Sequence, residues 1–195
     1  MSWIDKGIAL GDQGKYDEAI KALDEAIKLG PNYAYAWNTK GVLLHNQGRY
    51  DEAIKYVNEA IKLDPNYAYA WNTKGVVLRN QGVVLDDPDI SLGGQDKYDE
   101  AMKCFDEAIR IDPNLTQAWI DKGVALQGQG LALISLGFDG RREYDDAIKC
   151  FDEAIRLNPE NAMVWYQKSN ALYKMGRNKE AEAASSRAKE LEDEA

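Results

Sequence analysis

Five tryptophans, Trp3, Trp37, Trp71, Trp119 and Trp165, recur along the 195 residues at spacings of 34, 34, 48 and 46. A rare side chain returning at a near-fixed period marks a tandem repeat, in which each copy buries its apolar face on the next. Each Trp opens one phrase, clearest at 34–67, where Trp is followed by a Gly, a Tyr, two Ala and a Pro. The Gly column holds Gly7, Gly41, Gly75 and Gly123, with Ser169 in the fifth copy; the Tyr column holds Tyr16, Tyr50, Tyr98 and Tyr144, with Asn178 last. Ala19, Ala53, Ala101, Ala147 and Ala181 form one Ala column, and Ala26, Ala60, Ala108, Ala154 and Ala188 the other. Small residues seven apart let neighbouring helices approach closely, and Trp and Tyr fill what remains, so these columns specify packing rather than chemistry.

The second half of each copy reads as an amphipathic helix. Acids open it (Asp17 and Glu18, Asp51 and Glu52, Asp99 and Glu100, Asp145 and Asp146), Lys28, Lys62, Arg110 and Arg156 close it, and Pro31, Pro65, Pro113 and Pro159 stop it. That polarity complements the helix dipole. Apolar residues such as Ala101, Cys104, Phe105, Ala108 and Ile109 follow a 3.6-residue rhythm. Each copy is therefore expected to be a helical hairpin.

The Trp, Gly, Tyr, Ala, Ala, Pro signature resembles that of the tetratricopeptide repeat family over essentially the whole chain. The spacings of 48 and 46 place extended helices or insertions in repeats three and four, and the resemblance implies an all-α fold, an α-solenoid wound as a right-handed superhelix of five helix-turn-helix hairpins. It implies one solenoid domain over 1–195, with repeats at 1–33, 34–67, 68–115, 116–161 and 162–195 and insertions at 83–96 and 131–142. No cap is read ahead of Trp3. The last helix replaces the aromatic column with Ala184 and Ser185 and ends in acids, a face polar enough to terminate a stack.

The insertions restate the helix before them. Gly75-Val76-Val77-Leu78 recurs as Gly82-Val83-Val84-Leu85, and Gly123-Val124-Ala125-Leu126 as Gly130-Leu131-Ala132-Leu133. A shift of seven keeps one helical face, so the first helix of each copy is expected to run on by a heptad, about 10 Å. In copy three, Asp87 and Pro88 then read as the start of a short turn closed by Gly93-Gly94; in copy four, Asp139-Gly140 makes the turn. Val83, Val84, Leu85, Ile90 and Leu92 are expected to lie against Leu131, Leu133, Ile134, Leu136 and Phe138. They either cover one another or leave an apolar edge for a partner or a second subunit. Asp86, Asp87, Asp89 and Asp96 lack the Gly and bidentate Glu of a calcium loop and read as caps and solvated charge.

Functional classes narrow by composition. The balance of 24 basic and 33 acidic residues gives a net charge of −9, without the basic stripe that phosphate backbones require, so no nucleic-acid partner is expected. No apolar run approaches the roughly 20 residues of a membrane span, and the start MSWIDKG lacks the regions of a signal peptide, so a cytoplasmic protein is expected. His45 is the only histidine and has no nucleophile pattern beside it; Cys104 and Cys150 share a column and read as small core residues in a reducing compartment. No enzyme activity, cofactor or metal is expected.

In the resembled family, the inner surface lined by first helices holds an extended peptide or a helix. The residues matching that lining are Tyr35, Asn38, Thr39, Val42, His45 and Asn46 in copy two, and Tyr69, Asn72, Thr73, Val76, Arg79 and Asn80 in copy three. Copy four offers Gln117, Ile120, Asp121, Val124, Gln127 and Gly128; copy five offers Met163, Tyr166, Gln167, Asn170, Tyr173 and Lys174. Asn pairs with main-chain amides and Tyr supplies contact area at low entropic cost, which suits an extended peptide. Family members that clamp acidic carboxyl tails do so with a Lys where this chain has Ile4, Asn38, Asn72, Ile120 and Tyr166, so that clamp is missing. A further Lys column, Lys6, Lys40, Lys74, Lys122 and Lys168, is expected to reach Glu25, Glu59, Glu107 and Glu153 on second helices.

The reading is thus a non-enzymatic protein-interaction scaffold with a peptide or helix in its inner groove. The alternative is a self-assembling or designed, consensus-like repeat scaffold without a peptide ligand, favoured by the letter-for-letter recurrence of NYAYAWNTKGV at 32–42 and 66–76. Terminal faces and insertions are its candidate self-association surfaces.

Overall fold

The computed structural model describes residues 2–85 and 93–194, with side chains described for 2–82 and 96–194. Among the described residues there are ten α-helices and no strand. They fall in two compact units, Met1–Ile111 and Asp112–Ala195. In the first, α1 (Trp3–Asp12) pairs with α2 (Tyr16–Leu29), α3 (Ala34–Asn46) with α4 (Tyr50–Leu63), and α5 (Ala68–Leu85) with α6 (Gly93–Ile111). In the second, α7 (Thr116–Ser135) pairs with α8 (Arg141–Leu157) and α9 (Ala162–Lys174) with α10 (Asn178–Asp193).

The Gly column now has a physical role. A Cβ on Gly7 would sit 2.9 Å from Leu23 Cγ, on Gly41 2.5 Å from Val57 Cγ2, on Gly75 2.6 Å from the Phe105 ring, and on Gly123 2.5 Å from the Phe151 ring. Each glycine thus vacates the space that one large side chain of the partner helix fills, and Leu23, Val57, Phe105 and Phe151 are all 0% exposed. In the fifth hairpin both sides change together: Ser169 takes the Gly place and donates to the Ala181 carbonyl at 2.8 Å, and Ser185 takes the place of the large residue.

The core is shared between neighbouring hairpins. Leu43 of α3 packs with Ala19 and Leu23 of α2, Val77 of α5 with Leu44 and Ala53, and Ala70 of α5 with Val57 and Ala60. Each Trp ties its helix to the stop before it, because Trp37, Trp71, Trp119 and Trp165 donate Nε1–H to the carbonyls of Pro31, Pro65, Pro113 and Pro159 at 2.8–3.0 Å. The proline that ends one hairpin therefore positions the tryptophan that begins the next. At the start of α1, Ser2 forms a capping box with Asp5: Ser2 Oγ accepts from Asp5 N at 3.1 Å and the Asp5 carboxylate from Ser2 N at 2.9 Å.

The first-helix extension is borne out in the second unit. α7 has 20 residues against 13 in α3. Its stop also moves by a heptad. In α3 the chain leaves the helix at Gly48, φ +74°, seven residues after Gly41; Gly130 holds that place in copy four but lies inside α7, and the stop falls at Gly137, φ +83°. Both turns are Schellman motifs. The Gly137 N–H donates to Ile134 O at 3.0 Å and the Phe138 N–H to Leu133 O at 2.8 Å, as Gly48 does to His45 and Arg49 to Leu44. α5 is also lengthened, to 18 residues.

Second helices are lengthened too, which the repeat did not predict: α6 has 19 residues and α8 17, against 14 in α4. Gly93-Gly94 therefore open α6 instead of closing a turn. The first helical positions have no intrahelical N–H partner, so glycine is tolerated there, and Asp96 lies in the first turn. Asp87 and Pro88, the expected start of that turn, lie outside the described residues.

The Lys column also corrects its expected partners. Lys40 is 5% exposed and its ammonium pairs with Asp24 of the preceding hairpin, donates to Tyr56 Oη at 2.8 Å and lies 4.0 Å from the Tyr56 ring centroid. Lys168 pairs with Asp152 at 2.5 Å. The acid that answers is thus one residue before the Glu expected. Those glutamates, Glu25, Glu59, Glu107 and Glu153, turn outward and pair with Lys28, Lys62, Arg110 and Arg156 of their own helices.

Candidate functional site

In the first unit, the expected lining divides into an exposed and a buried tier. Tyr35 and Tyr69 are 39% and 55% exposed, while Asn38 and Asn72 are only 6% and 7% exposed and Thr39, Val42, His45, Thr73, Val76 and Arg79 are half-buried. Thr39 and Thr73 donate to the carbonyls of Tyr35 and Tyr69 one helical turn back, at 2.8 and 2.9 Å. Asn38 Oδ1 is enclosed without a hydrogen-bond partner in the described structure.

Tyr33 and Tyr67 belong to the same place, although the sequence reading passed over them. The Tyr33 and Tyr35 ring centroids lie 5.9 Å apart, and those of Tyr67 and Tyr69 6.0 Å apart. The Tyr67 phenol is pushed up to about 12, by burial first and then by Tyr35, with Tyr69 and Tyr33 adding and a hydrogen bond with Asn38 opposing. Four tyrosines of two successive hairpins therefore form one cluster. Their signal in the sequence was the doubled Tyr of NYAYAWN at 32–38, repeated at 66–72.

Burial also raises the Cys104 thiol, to about 11. Both acids are held neutral in the folded chain, so the unfolded chain loses its protons first. Stability is expected to fall as pH rises from about 9 to about 12, with urea midpoints at pH 8, 10 and 11.5 as the check; a flat profile there would count against the buried positions of Tyr67 and Cys104.

At the far end of α3 and α5, His45 is a link between copies rather than a base. Its Nε2 lies 2.7 Å from Asn80 Nδ2 and its Nδ1 3.1 Å from Asn46 Oδ1, while Arg79 Nε donates to Asn80 Oδ1 at 3.0 Å. The tautomer with its proton on Nδ1 satisfies both contacts. Gln47 and Gln81 likewise donate to Asp17 and Asp51 of the preceding hairpin at 2.9 and 2.8 Å.

In the second unit, Gln117, Met163, Asn170, Tyr173 and Lys174 are exposed, and Ile120, Asp121, Val124, Gln127, Gly128, Tyr166 and Gln167 are half-buried. Gln127 donates to the Gln167 carbonyl at 3.0 Å and Tyr166 to Glu192 at 2.8 Å, so part of this lining is engaged within the unit. Tyr166, Asn170 and Tyr173 also edge a cleft of about 670 Å³ between α9 and α10, with Glu182 and Ser185 opposite. Of the insertion residues, Leu131, Ile134, Leu136 and Phe138 are 47–65% exposed and Leu133 is half-buried. The side chains of Val83, Val84, Leu85, Ile90 and Leu92, their expected counterparts, lie outside the described residues.

Among the described residues no three His, Cys, Asp or Glu side chains converge as a metal site, and no helix is long and apolar enough to cross a membrane. Cys104 and Cys150 are free and buried.

Tandem helical hairpins with a shared core and first helices of like register define an all-α repeat scaffold for protein interactions. The chain belongs to the tetratricopeptide repeat family: that family's profile matches residues 4–82 and 135–194, and a second Tetratricopeptide repeat profile matches 91–115. Solved structures agree on this solenoid class. TTC0263, a thermophilic tetratricopeptide repeat protein of Thermus thermophilus, matches with TM-score 0.74 at 20% identity, over 97% of this chain and 89% of that one. MamA 41-end from Desulfovibrio magneticus RS-1 matches with TM-score 0.71 at 20% identity, over 98% and 94%, and another MamA crystal structure with TM-score 0.68 at 20% identity, over 98% and 90%. No curated protein sequence matches the chain.

Proposed function

We propose that the chain is a non-enzymatic adaptor whose first-helix face in the unit Met1–Ile111 holds an extended peptide. The observation that carries this is the repetition of an exposed Tyr above a buried Asn, Tyr35 over Asn38 and Tyr69 over Asn72, at one register of successive first helices. Rings offered at a fixed step suit a ligand with a regular backbone, and they lose little entropy on contact. Gln117, Asp121, Val124, Tyr166 and Asn170 offer a second, more polar stretch in the unit Asp112–Ala195. The free cysteines Cys104 and Cys150 favour a reducing, cytoplasmic setting.

A peptide-array screen with the wild type and with Tyr35→Ala and Tyr69→Ala tests this. Both side chains are exposed, so the variants are expected to keep wild-type helicity and melting while binding weakens about tenfold for each ring removed. Retention of no peptide, or retention indifferent to both substitutions, would refute the reading.

A second reading, self-assembly without a peptide ligand, draws on the exposed Leu131, Ile134, Leu136 and Phe138. Light scattering across concentrations separates the two: growth in mass that Phe138→Asp abolishes favours assembly, and a constant mass favours the adaptor.

A further inference from the structure

We infer that the tyrosine cluster of the first unit selects a proline-rich segment in the polyproline II conformation, flanked by basic residues. The inference rests on the peptide-binding reading above and narrows its ligand.

The geometry comes first. The Tyr33 and Tyr35 rings lie 5.9 Å apart and the Tyr67 and Tyr69 rings 6.0 Å apart, and Tyr33, Tyr35 and Tyr69 expose 39–57% of their surface. Tyr35 and Tyr69 stand on successive first helices, α3 and α5, which are in contact. Packed helices lie about 8–10 Å apart. A polyproline II chain advances about 9.3 Å in each three-residue turn. A proline at every third position therefore meets the Tyr33/Tyr35 pair and then the Tyr67/Tyr69 pair without strain in the ligand. An α-helix rises only about 5.4 Å per turn, and a strand presents same-face side chains about 6.6–6.8 Å apart. Neither matches the step.

Chemistry agrees with geometry. A proline ring lies flat on an aromatic face, and the conformation it imposes is already formed before binding, so little entropy is lost. Proline segments have carbonyls to spare and few N–H groups. Phenol O–H groups donate to such carbonyls, and this chain already pairs aromatic donors with proline carbonyls, as Trp37 does with Pro31 and Trp71 with Pro65.

Charge sets the flanks. The chain carries −9 overall, so basic residues bordering the proline segment raise the encounter rate, and acidic ones lower it. The ammonium groups of Lys40, Lys6 and Lys74 already sit over Tyr56, Trp3 and Trp71 in the fold, at 4.0, 4.9 and 5.8 Å from the ring centroids, so a ligand cation at the rim of a tyrosine cluster has precedent within the chain.

The test is fluorescence anisotropy with three labelled synthetic peptides: one with proline at every third position and Arg at both ends, the same peptide with Ala for each proline, and the same with Glu for Arg. The first is expected to bind, the Ala peptide at least about tenfold more weakly, and the Glu peptide more weakly with a salt dependence of opposite sign. Tyr35→Ala and Tyr69→Ala are expected to weaken the proline peptide about tenfold each, whereas Tyr69→Phe keeps most of the binding because the ring face remains. If the proline and Ala peptides bind alike and both Tyr→Ala changes weaken them, the proline preference is wrong and the groove reading stands. If neither peptide binds, while the array of unrelated sequences yields ligands sensitive to Tyr35 and Tyr69, the preference again fails alone. If no peptide binds in either experiment, both readings fall.

Discussion

Replacing Phe105 with Ala is expected to lower the unfolding free energy by about 3–5 kcal/mol, the range for deleting a fully buried ring. Phe105 is 0% exposed and fills the space left by Gly75 on α5, where an added Cβ would lie 2.6 Å from its ring. The lock between the two residues makes a sharper test than the single change. Gly75→Ala alone is expected to cost about 1–3 kcal/mol, as overpacking does. In the Phe105→Ala background the same methyl enters the cavity, and a helical Gly→Ala change itself gains about 1 kcal/mol. Gly75→Ala should therefore stabilise the Phe105→Ala protein although it destabilises the wild type. Urea unfolding of the four proteins gives the coupling; simple additivity would mean that the two residues do not share one space.

Much of this was legible before the fold was seen, and the reason differs by element. The Gly column could be read because it recurs at one place in four copies, whereas its match to Leu23, Val57, Phe105 and Phe151 on the partner helices depends on how the two helices of a hairpin pack. The heptad extension of α7 was legible because Gly130-Leu131-Ala132-Leu133 repeats the face of Gly123-Val124-Ala125-Leu126. What the pattern could not resolve was direction between neighbours. Asp24 and Glu25 are adjacent, about 100° apart around α2, and only the stacking of one hairpin on the next decides that Asp24 receives Lys40. The same limit hid the burial of Asn38 and Asn72. Periodicity assigns them to the first-helix face, but whether a side chain there is open or covered depends on how the next hairpin's loop sits, and Tyr67 comes to lie beside Asn38. The early start of α6 escaped because Gly93-Gly94 reads as a turn in isolation, whereas the first positions of a helix tolerate glycine.

Gly140 is the position where the smallest change is expected to do the most harm for its size. It is buried as the N-cap of α8, and a Cβ there would lie 2.2 Å from the Gly130 carbonyl oxygen and 2.9–3.0 Å from its carbonyl carbon and Cα. These are backbone atoms of α7, so no rotamer can give way. Gly140→Ala must push α7 and α8 apart at their crossing, and a loss of about 3 kcal/mol or more is expected, at or beyond the upper end for overpacking. Two nearby glycines calibrate the effect. Gly137 has open space around its Cβ and only its φ of +83° to protect, so Gly137→Ala should cost about 1 kcal/mol. Gly130→Ala should fall between, since its Cβ would meet the Gly140 carbonyl at 3.0 Å and the side chains of Tyr144 and Glu143 at 3.1 and 3.2 Å. Hydrogen exchange of the α7 and α8 amides should follow the same order, fastest in Gly140→Ala. An order with Gly137→Ala as the most damaging change would place the constraint in the turn's dihedral angle, and the close backbone crossing of α7 and α8 would not be what fixes this hairpin.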